Sequence, residues 1–315
     1  MGKTAAIILS AGSMSQGLYP LAIVNKEPLI NAAISMLRTC GVDTIVVVTG
    51  DRHEIISNFL RDSGVTLLYN SNHENSQMLD SLKLALKYIQ DKSDRTFLVR
   101  ADVLAFSQKT VETMLSTRAE IVCPCRFGTP GHPTLISGKY YDAVLNYEGP
   151  DGLRGFLNTI YEQVSFVGVD DEGILLKNNS YENFQRIVRL KSDKAPEPFS
   201  FRPSVSVSLE NAGFAFSDEN AIFLDMIDKT GSIRISCDCM HISYTKGWTM
   251  INRIEAGTGL RFVNKTVGGP KGGRSHLTEN GKQFLTTYMD VRKRLNQEAE
   301  RLFDEVSFPT ESESA

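Results

Sequence analysis

The sequence predicts an α/β protein, with a doubly wound, mostly parallel sheet in its N-terminal part and a winged helix-turn-helix in its C-terminal part. Three observations carry that expectation. Short β-branched runs alternate with longer amphipathic segments through the first 190 residues; those runs are nearly continuous, as suits strands buried on both faces; and two capped helical stretches within 230–259 precede a glycine-rich hairpin.

In order, AAIIL from Ala5 is followed by PLINAAISMLRTC, closed by Gly41. TIVVV is followed by HEIISNFLRDS, closed by Gly64, then TLLYN by SQMLDSLKLALKYI, TFLVRAD by QKTVETMLS, and last comes EIVCPC. Glycines stand where the helices should stop, and a sheet of this kind binds ligands at the carboxyl ends of its strands. Between 189 and 203, RLKSDKAPEPFSFRP loses periodicity and collects three prolines, as a linker does. The expected domains are 1–190 and 203–303, joined by a linker at 191–202 and followed by an acidic, Ser-rich tail at 304–315.

After the linker, SVSVSLENAGF reads as a strand with an Asn-Ala-Gly turn, and Ser217 as the cap of a helix. Ser232 and Ser243 are the next two N-caps, with a short turn around His241 and Ile242 between their helices. Projected at about 100° per residue, the second helix gathers Gly247, Trp248, Met250, Ile251 and Ile254 on one side. Thr245, Lys246, Thr249 and Arg253 fall on the other, as in a helix that enters the major groove. LRFVNKTVGGPKGGRSHLT then reads as two short strands joined by a turn in which Lys271 and Arg274 supply charge beside four glycines, a wing. Phe284, Tyr288, Val291, Leu295, Ala299 and Leu302 form one apolar stripe on the last helix, which suits a dimer contact.

At 315 residues, with 41% hydrophobic and 23% charged, the chain has the composition of a globular protein of two domains. No apolar run approaches the roughly 18 residues of a membrane span, and no export leader is visible, so the expected location is the cytoplasm, without membrane contact. Five cysteines, an odd number, argue for reduced thiols. Cys237, Cys239 and His241 point apart on a helix, and Cys123 and Cys125 are too close for a standard zinc pair, so no structural zinc is expected, nor haem or flavin. Gly2-Lys3-Thr4 lacks the preceding strand and first glycine of a phosphate loop. The net charge of −3 conceals an excess of bases: residues 221–303 hold 13 Lys+Arg against 8 Asp+Glu, consistent with a polyanion surface.

Two resemblances emerge from these motifs. IDKTGS, SYTKGW and TVGGPKGGRSHLTENG, in that order within 203–295, resemble the DNA-binding domain of ModE-type molybdate-responsive regulators. That resemblance implies double-stranded DNA as a partner, with Ser243, Thr245, Lys246, Thr249 and Arg253 facing it, helped by Lys271 and Arg274. It departs at Gly247, where an alanine is usual.

In the N-terminal part, LSAG at 9–12, KEPLI, VVVTG, YN at 69–70, MLDSLKLAL, VRADV, PCRFGTPGHPTLI and DGLRGFL resemble the MobA/MocA-like nucleotidyltransferases, which join a nucleotide to molybdopterin with Mg²⁺ and release pyrophosphate. The resemblance implies nucleotide binding by Leu9, Ser10, Ala11, Gly12, Asn70 and Ser81, a pterin-side role for His132, and Mg²⁺ at Asp102.

That family's loop reads LAAGxSxRMGxxK, and a gapless match sets Gln16 at its arginine and Leu21 at its lysine. Lys26 is the cation left to take a relocated catalytic role. Where the family carries a second acidic motif, this chain reads LLKNNSYENF. Losing one active-site cation costs several kcal/mol, a factor of about a hundred to a thousand in rate. The sequence therefore predicts a transcriptional regulator whose degenerate transferase domain binds a nucleotide or molybdopterin-type ligand. The alternative is an active nucleotidyltransferase with an appended DNA-binding domain.

Overall fold

The computed structural model describes residues 3–12, 19–192, 203, 205–211, 213–266 and 274–306. It falls into two compact units, Met1–Ser192 and Asp193–Ala315.

The first unit contains strands β1 (Thr4–Ser10), β2 (Ile23–Val24), β3 (Glu27–Pro28), β4 (Thr44–Thr49), β5 (Thr66–Tyr69), β6 (Arg95–Arg100), β7 (Ile121–Arg126), β8 (Thr129–Pro130), β9 (Thr134–Ser137) and β10 (Val164–Gly168). Its helices are α1 (Leu29–Thr39), α2 (His53–Leu60), α3 (Met78–Ile89), α4 (Gln108–Ser116), α5 (Tyr141–Leu145), α6 (Gly152–Thr159) and α7 (Tyr181–Ser192). The main sheet runs β10-β7-β9-β6-β1-β4-β5, with β8 paired to β7. Along that path only β9 is antiparallel to its neighbours, so the sheet is mostly parallel, as expected from the continuous apolar runs.

Ala5, Ile7, Val46 and Val48 are buried beneath Leu79, Leu82, Ala85, Leu86 and Ile89 of α3. Each buried branched side chain contributes about 1.5–3 kcal/mol, which outweighs the modest propensities of the individual helices. Gly41 closes α1 as expected: its φ of 83° lets the Val42 N–H reach back to the Leu37 carbonyl at 3.1 Å. The chain leaves β1 towards β4 and β5 on one side and returns to β6 on the other. A crevice therefore opens at the carboxyl ends of β1 and β6.

The second unit contains β11 (Ser208–Asn211), β12 (Phe214–Ser217), α8 (Asp218–Thr230), α9 (Ile233–Cys239), α10 (Tyr244–Thr258), β13 (Val263–Thr266), β14 (Arg274–Leu277) and α11 (Glu279–Asp304). All three expected N-caps form. Ser217 makes a capping box with Asn220, the Ser232 Oγ accepts from the Ile235 N–H at 3.3 Å, and the Ser243 Oγ accepts from the Lys246 N–H at 3.1 Å. Phe216, Phe223, Ile227, Ile251, Ile254, Phe262 and Tyr288 make the core of this unit. Tyr288 keeps its polar end satisfied there, 2.8 Å from both Asp218 Oδ1 and the Val207 carbonyl. The strand expected from 204 starts only at Ser208. No helix among the described residues is long and apolar enough to cross a membrane, and the five cysteines are free thiols.

Candidate functional site: a two-chambered cleft and an exposed basic helix

Two cavities adjoin at the carboxyl edge of the first sheet. The smaller, about 240 Å³, is lined by Leu9, Ser10, Ala11 and Gly12 from the end of β1, by Gln77, Met78 and Ser81 at the start of α3, and by Arg100 and Asp102. The larger, about 770 Å³, shares Leu9, Gln77, Met78 and Arg100 with it and continues past His132, Arg154 and Lys177 between apolar walls that include Leu157, Phe166 and Ile174. Of the residues that the resemblance assigns to nucleotide and pterin, Leu9, Ser10, Ala11, Gly12 and Ser81 line the smaller chamber and His132 the larger, with Arg100 in both.

Close backbone approach shapes the edge. A Cβ on Gly50 would lie 2.5 Å from the Ala11 carbonyl oxygen, and one on Gly131 would lie 2.6 Å from that of Ile174, so neither site admits a side chain without movement. Ser10 is 3% exposed, and its Oγ has no hydrogen-bond partner among the described residues. Such a hydroxyl in a cleft wall is a polar atom that a ligand can satisfy. α3 begins with a capping box, in which the Gln77 side chain accepts from the Asp80 N–H and Asp80 Oδ2 accepts from the Gln77 N–H at 2.7 Å.

Asn70 lies behind the wall rather than in it. Its Nδ2 donates to Ser76 Oγ and Ser81 Oγ, both at 2.9 Å, and its Oδ1 accepts from the Asn72 N–H at 3.0 Å. It positions Ser81, which faces the cavity. Lys26 lies in the tight turn between β2 and β3, at φ 67°, exposed, and it lines neither cavity. Leu21 is fully buried, so the position matched to the family's lysine belongs to the core instead of the cleft. Gln16 lies outside the described residues.

Asp102 stands where the resemblance puts a metal ligand, just past the end of β6, but it is already engaged. Arg100 Nε donates to its Oδ1 at 2.9 Å and Nη2 to its Oδ2 at 2.7 Å, a two-pronged pair that raises the Arg100 pKa. The Asn178 N–H donates to the Asp102 carbonyl at 2.8 Å, which brings Lys177, Asn178 and Asn179 alongside. These neutral and basic side chains come from the segment that holds a second acidic motif in the family. Among the described residues no three His, Cys, Asp or Glu side chains gather to hold a metal. Of the carboxylates a hard divalent cation needs, Asp102 is the one that lines the smaller chamber, and an arginine holds it. This donor set does not fit Mg²⁺.

Arg100 is the residue that sequence reasoning missed. Residues i and i+2 of an extended chain share a face, so VRADV contained the signal that Arg100 and Asp102 meet. His132 feels the same arginine: burial first, then the Arg100 charge, bring its ring down to about 4, and its Nδ1 is buried without a partner among the described residues.

In the second unit, Thr245, Lys246, Thr249 and Arg253 are all exposed along α10, Ser243 is exposed at its start, and Gly247, Met250, Ile251 and Ile254 are buried beneath them. Lys246 Nζ lies 3.2 Å from Glu219 Oε1, an exposed pair that an incoming anion can displace cheaply. Arg274 is exposed at the first position of β14; Lys271 lies outside the described residues. A Cβ on Gly247 would lie 2.4 Å from Cys237 Sγ and 2.9 Å from Phe223 Cζ, which accounts for glycine where the ModE-type pattern carries alanine. On α11, Tyr288 is buried, whereas Val291, Leu295 and Leu302 further along are exposed.

Comparison with known proteins agrees with this architecture. The model of the MobA-like NTP transferase domain matches residues 6–164, half of the chain. The transcriptional regulator ModE of Yersinia pestis is 32% identical over 98 residues, 31% of this chain and 37% of that protein, so the chain spans little more than a third of that relative's length. Among solved structures, a nucleotidyl transferase from Methanothermobacter superposes with a TM-score of 0.53 at 19% identity, over 61% of this chain and 99% of that one. Rv0371c from Mycobacterium tuberculosis, also crystallised in complex with manganese, does so with a TM-score of 0.50 at 16% identity over 59% of this chain and 98% of that one. At such identities the likeness concerns the fold alone.

Proposed function

The chain belongs to the family of MobA-like NTP transferase domains, and from that premise we propose that it is a DNA-binding transcriptional regulator related to the molybdenum cofactor, in which the transferase domain has become a ligand-binding module. The observation that carries this reading is the Arg100–Asp102 pair with Lys177, Asn178 and Asn179 beside it. A cleft of the right shape remains, but the carboxylates that would hold a catalytic metal are spent or replaced. The ligand is a nucleotide, molybdopterin or its nucleotide form. Ser243, Thr245, Lys246, Thr249 and Arg253 on α10, with Lys271 and Arg274 of the wing, contact double-stranded DNA. The exposed apolar end of α11 pairs two copies into a homodimer that reads two half-sites. Ligand and DNA affect one another to the extent that the ligand binds two states of the protein unequally.

The deciding measurement is pyrophosphate release from CTP or GTP by the purified protein with molybdopterin and Mg²⁺. This reading expects ligand binding with no sustained turnover. An active transferase is the second reading, favoured by one observation: Arg100, Arg154 and Lys177 place cations in the cleft that the glycine loop lacks. Steady turnover would establish it. For the DNA face, Lys271→Ala combined with Arg274→Ala should weaken binding to all sequences and lower the slope of log affinity against log salt by roughly two; an unchanged slope would remove the wing from the interface.

A further inference from the structure

Arg100 and Asp102 form the cation and the anion at the junction of both chambers, and the misfit between this donor set and a divalent metal has a consequence. We infer that the cleft takes the phosphate of its ligand directly on the Arg100 guanidinium, without a divalent cation, and that Asp102 is an intramolecular competitor for that guanidinium. The inference rests on the reading of this unit as a binder of phosphorylated ligands.

The geometry supports an exchange of anions. Asp102 occupies the Nε–Nη2 edge of Arg100 through two bonds of 2.9 and 2.7 Å, while Nη1 has no hydrogen-bond partner among the described residues. A phosphate recognises a guanidinium fork as a carboxylate does, but a phosphate monoester carries about 1.5 to 2 negative charges and three acceptor oxygens. It can therefore replace a single carboxylate, and Asp102, with a side chain 27% exposed, can be rehydrated when released. Lys177 and Arg154 line the chamber beyond, opposed there by Asp151 alone among the lining residues, so the local balance still favours an anion once Asp102 withdraws. The pair would also set a threshold: the cation is neutralised until a ligand of higher charge arrives, which discriminates against singly charged metabolites.

The test is calorimetric titration of the full chain with CTP, GTP and inorganic pyrophosphate, each in EDTA and again in Mg²⁺. The expected dissociation constants in the two media agree within about two-fold for at least one probe. Asp102→Asn is expected to tighten binding about five-fold, the scale of a partly exposed ion pair, and Arg100→Gln to weaken it at least about ten-fold. Arg100→Lys, which keeps the charge and loses the fork, should fall between them, and matching circular dichroism and melting curves ensure that the loss does not reflect misfolding. Binding that vanishes in EDTA, or that Asp102→Asn weakens as loss of a metal ligand would, overturns this inference and leaves the proposed function standing. If no probe binds in either medium, this inference falls, and the proposed function keeps molybdopterin as its ligand.

Discussion

In the cleft of the first unit Arg100 is answered at 2.7 Å by Asp102, whereas along α10 of the second unit Thr245, Thr249 and Arg253 stand exposed to solvent. The difference follows from solvation. Arg100 lies among partly buried walls, where an unpaired charge is costly, so the fold supplies its partner. A charge on an exposed helix costs little to leave for an external partner, and the Lys246–Glu219 pair there has both side chains more than half exposed. Basic residues in a sequence therefore carry different meanings according to depth. Those in the cleft are answered by a partner that the fold supplies, while those on the helix are left open to solvent.

The largest expected effect tests the depth of the cleft. His132 is neutral in the folded chain down to about pH 4, while an unfolded histidine titrates near 6.5. Between those values the unfolded state binds more protons, so stability should fall as pH drops through this window, by up to about 3 kcal/mol, and should be restored above 6.5. His132→Gln should flatten that dependence. Urea unfolding followed by circular dichroism checks it. Trp248, the single tryptophan, lies in the second unit, and its fluorescence follows that unit's unfolding.

Packing in the second unit gives the next effect. Gly247→Ala should destabilise it by about 2 kcal/mol, because the new methyl meets Cys237 Sγ and Phe223, and Cys237→Ala should recover part of the loss. Trp248 fluorescence in denaturant measures both variants; a neutral Gly247→Ala would mean that the crossing of α9 and α10 is looser than these contacts state. The smallest expected change is at the helix start. Ser243→Ala removes the acceptor of the Lys246 N–H and should cost about 1 kcal/mol in the same assay. A larger loss would show that the basic helix depends on its cap more than on the core beneath it.

Much of the molecule was legible in order along the chain. The runs at Ala5, Thr44, Thr66, Thr96 and Ile121 became strands, the amphipathic stretches between them became α1 to α4, and Ser217, Ser232 and Ser243 became caps. Periodicity and capping depend on neighbours within about four residues, so a sequence states them directly. The cleft was legible only in outline. Leu9 to Gly12, Ser81, Asp102 and His132 do line it, but Asn70 supports the wall from behind, Lys26 lies in a turn outside it, and Leu21 is in the core.

By itself, the sequence determined the β-α alternation and the split of α10 into an apolar and a basic side, since each is a local pattern repeated until it admits one reading. Tertiary structure alone decided that Lys177, Asn178 and Asn179 stand beside Asp102, that Arg100 reaches both chambers, and that Gly247 faces Cys237. These depend on contacts between segments distant along the chain and on burial, which sets the cost of every charge and every added methyl. Neither is encoded in spacing.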